Sequence, residues 1–120
     1  MAPRRDPAAL LPLAPDALWI LLALAAQPLH GYAIMRDVEG RSDGRVRLQT
    51  GALYRTLRRL LHDGAIDESA RPPGTTSDDE RRRYYSVTPF GRAVLDAEIL
   101  RLDRLVRAAR LAATGRAPRG

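Results

Sequence analysis

Between Thr50 and Gly64 apolar side chains return at helical spacing: Leu53, Leu57, Leu60 and Leu61 stand at i, i+4, i+7 and i+8 and stack into one stripe. The opposite side carries Tyr54, Arg55, Arg58, Arg59 and His62, so one face wants a core and the other wants an anion. Thr50 is the cap candidate, Gly51 and Ala52 leave the first turn almost bare, and Gly64 supplies the stop. Taken alone this is an ordinary solvated amphipathic helix; its neighbours decide its role.

The most apolar run, Ala17 to Ala26, opens with Pro15 and Asp16 and predicts a buried first helix. Arg4 and Arg5 ahead of it raise the alternative of a secretory leader. Asp6, Asp16 and the prolines between them interrupt that pattern, and about ten apolar residues are too few to span a bilayer. Residues 1–14 are expected to be a flexible arm, with Arg4 and Arg5 within reach of a nucleic-acid backbone. Pro28 breaks the first helix, and His30-Gly31-Tyr32 starts a second in which Ile34, Met35 and Val38 face inward and Gly40 is the stop. A polar loop, Arg41 to Arg45, and an extended piece, Val46 to Leu48, deliver the chain to Thr50. Three helices with a cationic third are the outline of a helix-turn-helix.

Past Gly64 the period changes. Ala65 to Ala70 is a short strand candidate around Ile66, and residues 71–80, with Pro72-Pro73-Gly74, are a turn or loop. Arg81 to Val87 resumes a strand, with Arg83, Tyr85 and Val87 on one face and Arg82, Tyr84 and Ser86 on the other. Two strands around a polar loop make a hairpin, and a hairpin after a helix-turn-helix is a wing. Asp78, Asp79 and Glu80 place like charge near its tip, so phosphate contacts are expected at the strand base, Arg81, Arg82 and Arg83.

Thr88-Pro89 is a cap followed by proline at the first helical position, and no breaker occurs before about Ala113. Leu95, Ile99, Leu102, Val106 and Ala109 alternate spacings of four and three over about two heptads, with Arg101, Arg104, Arg107 and Arg110 off the seam. So small a domain has little core left for this helix to cover. The seam therefore reads as packing against a second copy, with Trp19 of the first helix grouped in that interface. Packing back on the same chain is the alternative. The expected fold is mainly α with a small β-hairpin wing: an arm at 1–14, a winged helix-turn-helix at 15–88, a dimerisation helix at 89–113 and a disordered tail at 114–120.

Composition sharpens this outline. At 120 residues the chain holds one modest core, and its formal charge is +6. All 20 basic residues are arginine, for which GC-rich coding is the simplest cause, and the balance favours a polyanionic partner. With no cysteine there is no disulfide, thiol nucleophile or zinc cluster, and a cytoplasmic setting fits. His30 and His62 fall on separate helices without an acidic constellation, so neither a metal nor a cofactor is expected. No Ser-His-Asp arrangement or Gly-rich phosphate loop supports an enzyme.

Four ordered pieces resemble the PadR-like family of bacterial winged-helix transcriptional regulators, in particular its short members with a single C-terminal helix. They are Leu29-His30-Gly31-Tyr32, then Leu53-Tyr54 with Leu57, Leu60 and Asp63-Gly64, then Arg82-Arg83-Tyr84-Tyr85, and last Thr88-Pro89-Phe90-Gly91, and the likeness covers roughly residues 17 to 110. The resemblance implies a homodimer joined through the final helix, third helices in successive major grooves of a near-palindromic site, and repression relieved by a small molecule. This chain departs from the family at two places. Members often carry Pro, and Thr or Ser, where Thr50 and Ala52 stand, so a hydroxyl base contact at Ala52 is missing. Some relatives hold aromatic drugs with a tryptophan on the dimer helix, whereas the one tryptophan here is Trp19, so no family effector is carried over.

The expected function is therefore sequence-specific repression through double-stranded DNA, with no membrane partner. Arg58, Arg59, Arg81, Arg82 and Arg83 would neutralise phosphates, while the turn Thr50 to Arg55, including Gly51 and Ala52, would reach base edges. Arg55 is the candidate for a bidentate guanine contact, Tyr54 is divided between backbone contact and wing packing, and Tyr32 joins the same surface. The rival reading is a winged-helix dimer that senses a ligand or binds a protein without specific DNA binding.

Overall fold

The first helix forms where the chain is most apolar. In the computed structural model, which describes residues 5–69 and 83–115, α1 runs Pro15–Ala26 with Asp16 in its first turn. Ala17, Ile20, Leu21, Ala23 and Leu24 are all buried, so α1 is the hub around which the other elements pack. Pro28 lies beyond its end, and the chain then makes β1 (Leu29–His30) before entering α2 (Gly31–Arg41). His30 caps α2, its Nδ1 accepting from the Ala33 N–H at 3.1 Å. Ile34 and Val38 are buried and Met35 packs at the core's margin.

Gly40 does not stop this helix. α2 continues through Arg41 to a cap at Ser42, and the positive-φ residues that turn the chain are Asp43 and Gly44. Buried Ser42 holds the turn: its hydroxyl accepts from the Val46 N–H at 2.9 Å and lies 3.2 Å from the Glu39 carbonyl. Leu48 then drops into the core and α3 (Thr50–His62) begins.

The end of α3 follows from Gly64. With φ at +76° it closes a Schellman turn, the Gly64 N–H donating to the Leu61 carbonyl and the Ala65 N–H to that of Leu60. The start differs from expectation: the cap position is Gln49, no side chain caps it, and Thr50 is already helical.

β2 (Ile66–Ser69) and β3 (Tyr84–Val87) pair antiparallel, with Ile66 opposite Val87 and Ser69 opposite Tyr84. β1 adds to the other edge of β3, Leu29 opposite Tyr85 and His30 opposite Tyr84, so the described sheet is three-stranded, ordered β1-β3-β2, and not a bare hairpin. Two residues are too short for a periodic signal, which is why β1 is invisible in the pattern. Alternation along β3 survives, yet both faces are covered. Tyr85 enters the core, while Tyr84 meets the His30 ring edge-on with centroids 5.3 Å apart.

α4 (Pro89–Ala113) opens on Thr88, whose hydroxyl accepts from the Gly91 N–H at 2.9 Å and donates to the Gly64 carbonyl at 2.6 Å. Gly91 is required here, since a Cβ would stand 1.9 Å from the Ala65 carbonyl oxygen. Val94 and Leu95 are buried within the chain, as is Glu98. Beyond them Ile99, Leu100, Leu105, Val106 and Leu111 are exposed. Leu95, which the expected seam includes, is thus packed in this chain's own core.

The N-terminal segment also departs from expectation. From Arg5 onward it is packed: Asp6 caps a short 3-10 turn, Pro7–Leu10, that lies along α4, and the Leu13 N–H donates to Glu98 Oε2 at 2.7 Å. A buried carboxylate inside a long amphipathic helix gave this segment something to bind. The wing residues Arg81 and Arg82, the acidic group Asp78 to Glu80, and tail residues 116–120 lie outside the described residues.

Candidate nucleic-acid interface

The leucine stripe of α3 is consumed by the core, with Leu53, Leu57 and Leu60 buried, and that orients everything else on the helix. Tyr54, Arg55, Arg58, Arg59 and His62 are all exposed. Among the described residues the ion pairs lie elsewhere: Arg41 with Asp37, Arg47 with Glu39, Arg83 with Glu68, Arg101 with Glu98 and Arg107 with Asp103. The guanidinium groups of Arg55, Arg58 and Arg59 have no acidic partner among those residues. A row of exposed, unneutralised arginines on a helix anchored from behind is a preformed cationic surface.

The first turn of α3 suits close approach. Thr50 and Gly51 are exposed, Ala52 is half-buried, and a Cβ added at Gly51 would meet nothing nearer than Arg55 Nη1 at 3.9 Å. Because no side chain caps this end, its leading N–H groups remain available to an anion. Tyr54 is steered by a glycine. Its hydroxyl stands 2.6 Å from where a Gly31 Cβ would be, so the ring lies over the first turn of α2 and remains partly exposed. This places the Tyr54 ring against α2. Burial first, then the neighbouring Tyr54 and Glu68, pushes the Tyr85 phenol above its ordinary value.

Tyr32 extends the face onto α2 and is its most exposed aromatic residue at 58%. The Arg36 guanidinium lies 5.8 Å from its ring centroid, and Arg36 is a member of this surface that the sequence reading missed. The signal was present, since Tyr32 and Arg36 are four apart and share a helix face. Arg83 is exposed but engages Glu68 at 3.3 Å, so the one described arginine of the wing base is partly neutralised. The expected dimer residues divide in two: Ile99 and Val106 are 47% and 45% exposed and Ala109 is exposed, whereas Leu102 is half-buried and Trp19 packs against the core.

No described helix is long and apolar enough to cross a membrane. The architecture of a three-helix unit, a small sheet and a long final helix is shared with known proteins. A PadR family transcription regulator from Clostridium difficile superposes with a TM-score of 0.70 at 19% identity, covering 83% of this chain and 99% of that one, which establishes the common fold. In sequence, a transcriptional regulator of Mycobacterium tuberculosis is 33% identical over 90 residues, 75% of this chain and 78% of its own length. An uncharacterized protein in a transposon of Streptomyces fradiae is 38% identical over 86 residues; the match takes in 72% of this chain but only 22% of that protein's length. Residues 20–97 match the model of the transcriptional regulator PadR-like family, a family of regulators and not of enzymes. From the α1 hub through the cationic α3 to the buried first half of α4, the chain belongs to the PadR-like family of transcriptional regulators.

Proposed function

We propose that this protein is a homodimeric repressor that binds a near-palindromic operator through α3 and is released by a small-molecule effector. The observation that carries the reading is the α3 face, where Arg55, Arg58 and Arg59 stand exposed and, among the described residues, without acidic partners beside a bare, uncapped first turn. Arg58 and Arg59 serve as phosphate contacts that fix register, and Arg55, one turn from the N-terminus, reads a guanine edge. Tyr32 and Arg36 add a second contact line from α2. Arg81 and Arg82 supply the wing contribution, and Arg83 supplies less because of Glu68.

The exposed apolar residues along α4 beyond Glu98 support self-association, since Ile99, Leu105, Val106 and Leu111 are 47%, 55%, 45% and 65% exposed. Two-fold pairing through that helix sets α3 of each protomer on half-sites about 10 base pairs apart, or a multiple. An effector that binds one splay of the paired helices better than another shifts operator affinity by its differential binding.

The test is titration of the purified protein onto a fluorescent duplex from upstream of its own gene, with excess nonspecific competitor at low and near-physiological salt. Saturable binding by two protomers per duplex is the expected result. Binding abolished by competitor on that duplex and on a genome-wide selection would favour the rival, a ligand-sensing or protein-interaction dimer. The missing hydroxyl at Ala52 is the specific observation on that side.

A further inference from the structure

α3 and α4 share no extensive direct packing, yet two separate ties join the end of one to the start of the other. The first is at Thr88: its hydroxyl donates to the Gly64 carbonyl at 2.6 Å and its backbone N–H to the Ala65 carbonyl at 3.0 Å, with Gly91 seated against Ala65. The second runs through the N-terminus. Arg5 donates from Nη1 to the Asp63 carbonyl, at the C-cap of α3, and its guanidinium lies 4.9 Å from the ring centroid of Phe90 in the first turn of α4. The segment carrying Arg5 is itself fixed farther along α4, where the Leu13 N–H donates to buried Glu98 and Arg101 holds the other carboxylate oxygen. Between this segment and α3 lies a cavity of about 330 Å³, lined by Leu10, Leu13, Thr56, Arg59, Leu60 and Val94 among others. This N-terminal strap therefore stands off α3 at the cavity, and its described hydrogen bond to the end of α3 is made by Arg5.

α3 and α4 both pack on the core built around α1, so their angle is broadly set there, and end contacts offset from the Thr88 joint resist the residual rotation between them. We infer that Arg5 is a positioning residue: by bridging the C-cap of α3 and the first turn of α4, it fixes the angle of the recognition helix relative to the dimer helix and so sets which half-site spacing the dimer accepts. This rests on the reading that α4 pairs two copies and α3 enters the groove. Arg5 acts here through protein contacts, its guanidinium engaging the Asp63 carbonyl and the Phe90 ring. Lysine can still donate to the carbonyl and sit over the ring, whereas alanine does neither.

The experiment uses the full chain and the duplex it selects from a random pool, with the half-sites moved apart or together one base pair at a time. Each inserted pair rotates one half-site by about 35° relative to the other. The wild type is expected to lose on the order of tenfold in affinity per step, since DNA or protein must twist to compensate. Arg5→Ala is expected to keep its affinity at the best spacing and to lose less than about threefold per step, and Arg5→Lys to restore the steep dependence. Equal steepness in wild type and Arg5→Ala overturns the inference. A uniform loss at every spacing also overturns it, since it marks Arg5 as a direct phosphate contact or a general stabiliser. A wild type indifferent to spacing sinks the two-half-site reading itself, and the inference with it.

Discussion

α3 and the second half of α4 are both amphipathic, arginine-rich helices, yet the chain finishes one and leaves the other open. On α3 the apolar stripe is fully consumed, with Leu53, Leu57 and Leu60 between 0% and 3% exposed, and what faces water is cationic. On α4 the chain covers Val94, Leu95 and Glu98 and then runs out of core, leaving Leu105 and Leu111 at 55% and 65% exposure. Two of the α4 arginines are also matched within the helix, Arg101 to Glu98 and Arg107 to Asp103. An anchored helix with free charge is suited to a polyanion, and an unanchored apolar edge with paired charge is suited to another protein surface. The same residue types thus serve two ends, and local burial decides which.

The largest expected effect is at the joint the two regions share. Gly91→Ala forces a Cβ against the Ala65 carbonyl, a backbone atom that cannot rotate away, and should cost about 3 kcal/mol or more. Thermal unfolding of the variant checks it; a melt like the wild type's would mean that α4 can lift off Ala65 cheaply.

Leu57→Ala and Leu105→Ala break the comparison directly. Leu57 is 1% exposed, and its truncation should cost about 3 kcal/mol at every protein concentration. Leu105→Ala should leave the isolated chain within about 0.5 kcal/mol of wild type, and should lower the melting temperature only where the wild type self-associates. Melts across a dilution series separate the two. If the Leu105→Ala penalty does not depend on concentration, the α4 edge is covered by this chain in solution and not by a second copy.

On the α3 side, Arg55→Ala should lose about 1 to 3 kcal/mol at one base position and relax preference there, while Arg58→Ala should weaken all sequences alike and flatten the salt slope by about one unit. Competition against single-base operator variants distinguishes them. Uniform loss for both variants would reassign base reading to Tyr54 or to the wing.

What the sequence made legible follows the same division. Helices longer than two turns announced themselves by period: the α3 stripe, the α1 run and the Thr88-Pro89 start all fall where the pattern places them. Interactions that depend on one distant partner did not. β1 is two residues of no periodicity, recruited because Tyr84 and Tyr85 of β3 needed a second neighbour. Gly40 looked like a stop, but the helix passes it because Ser42 and Gly44 close the turn better. The proline-rich start read as a flexible arm because its anchor, Glu98, lies 85 residues away and resembled one more surface charge on an Arg-rich helix.

That carboxylate also marks where α4 changes from finished to open, and it gives the smallest effect. Arg101, its hydrogen-bonding partner, leads in holding the Glu98 carboxyl below its ordinary value of 4.5, with the Leu13 N–H assisting and burial opposing. A depressed folded pKa contributes stability that is fully present above the ordinary value and is lost as pH falls through the lower, folded one. Glu98→Gln keeps an acceptor for Leu13 but drops the charge, so at neutral pH it should cost no more than about 1 kcal/mol, Arg101 being substantially exposed. Denaturant unfolding of both proteins from neutral to acidic pH should show the gap constant above the ordinary carboxyl range and closing below it. A gap that stays constant throughout would mean that the strap is held by the backbone hydrogen bond alone, and that the charge on Glu98 contributes nothing to closing this end of α4.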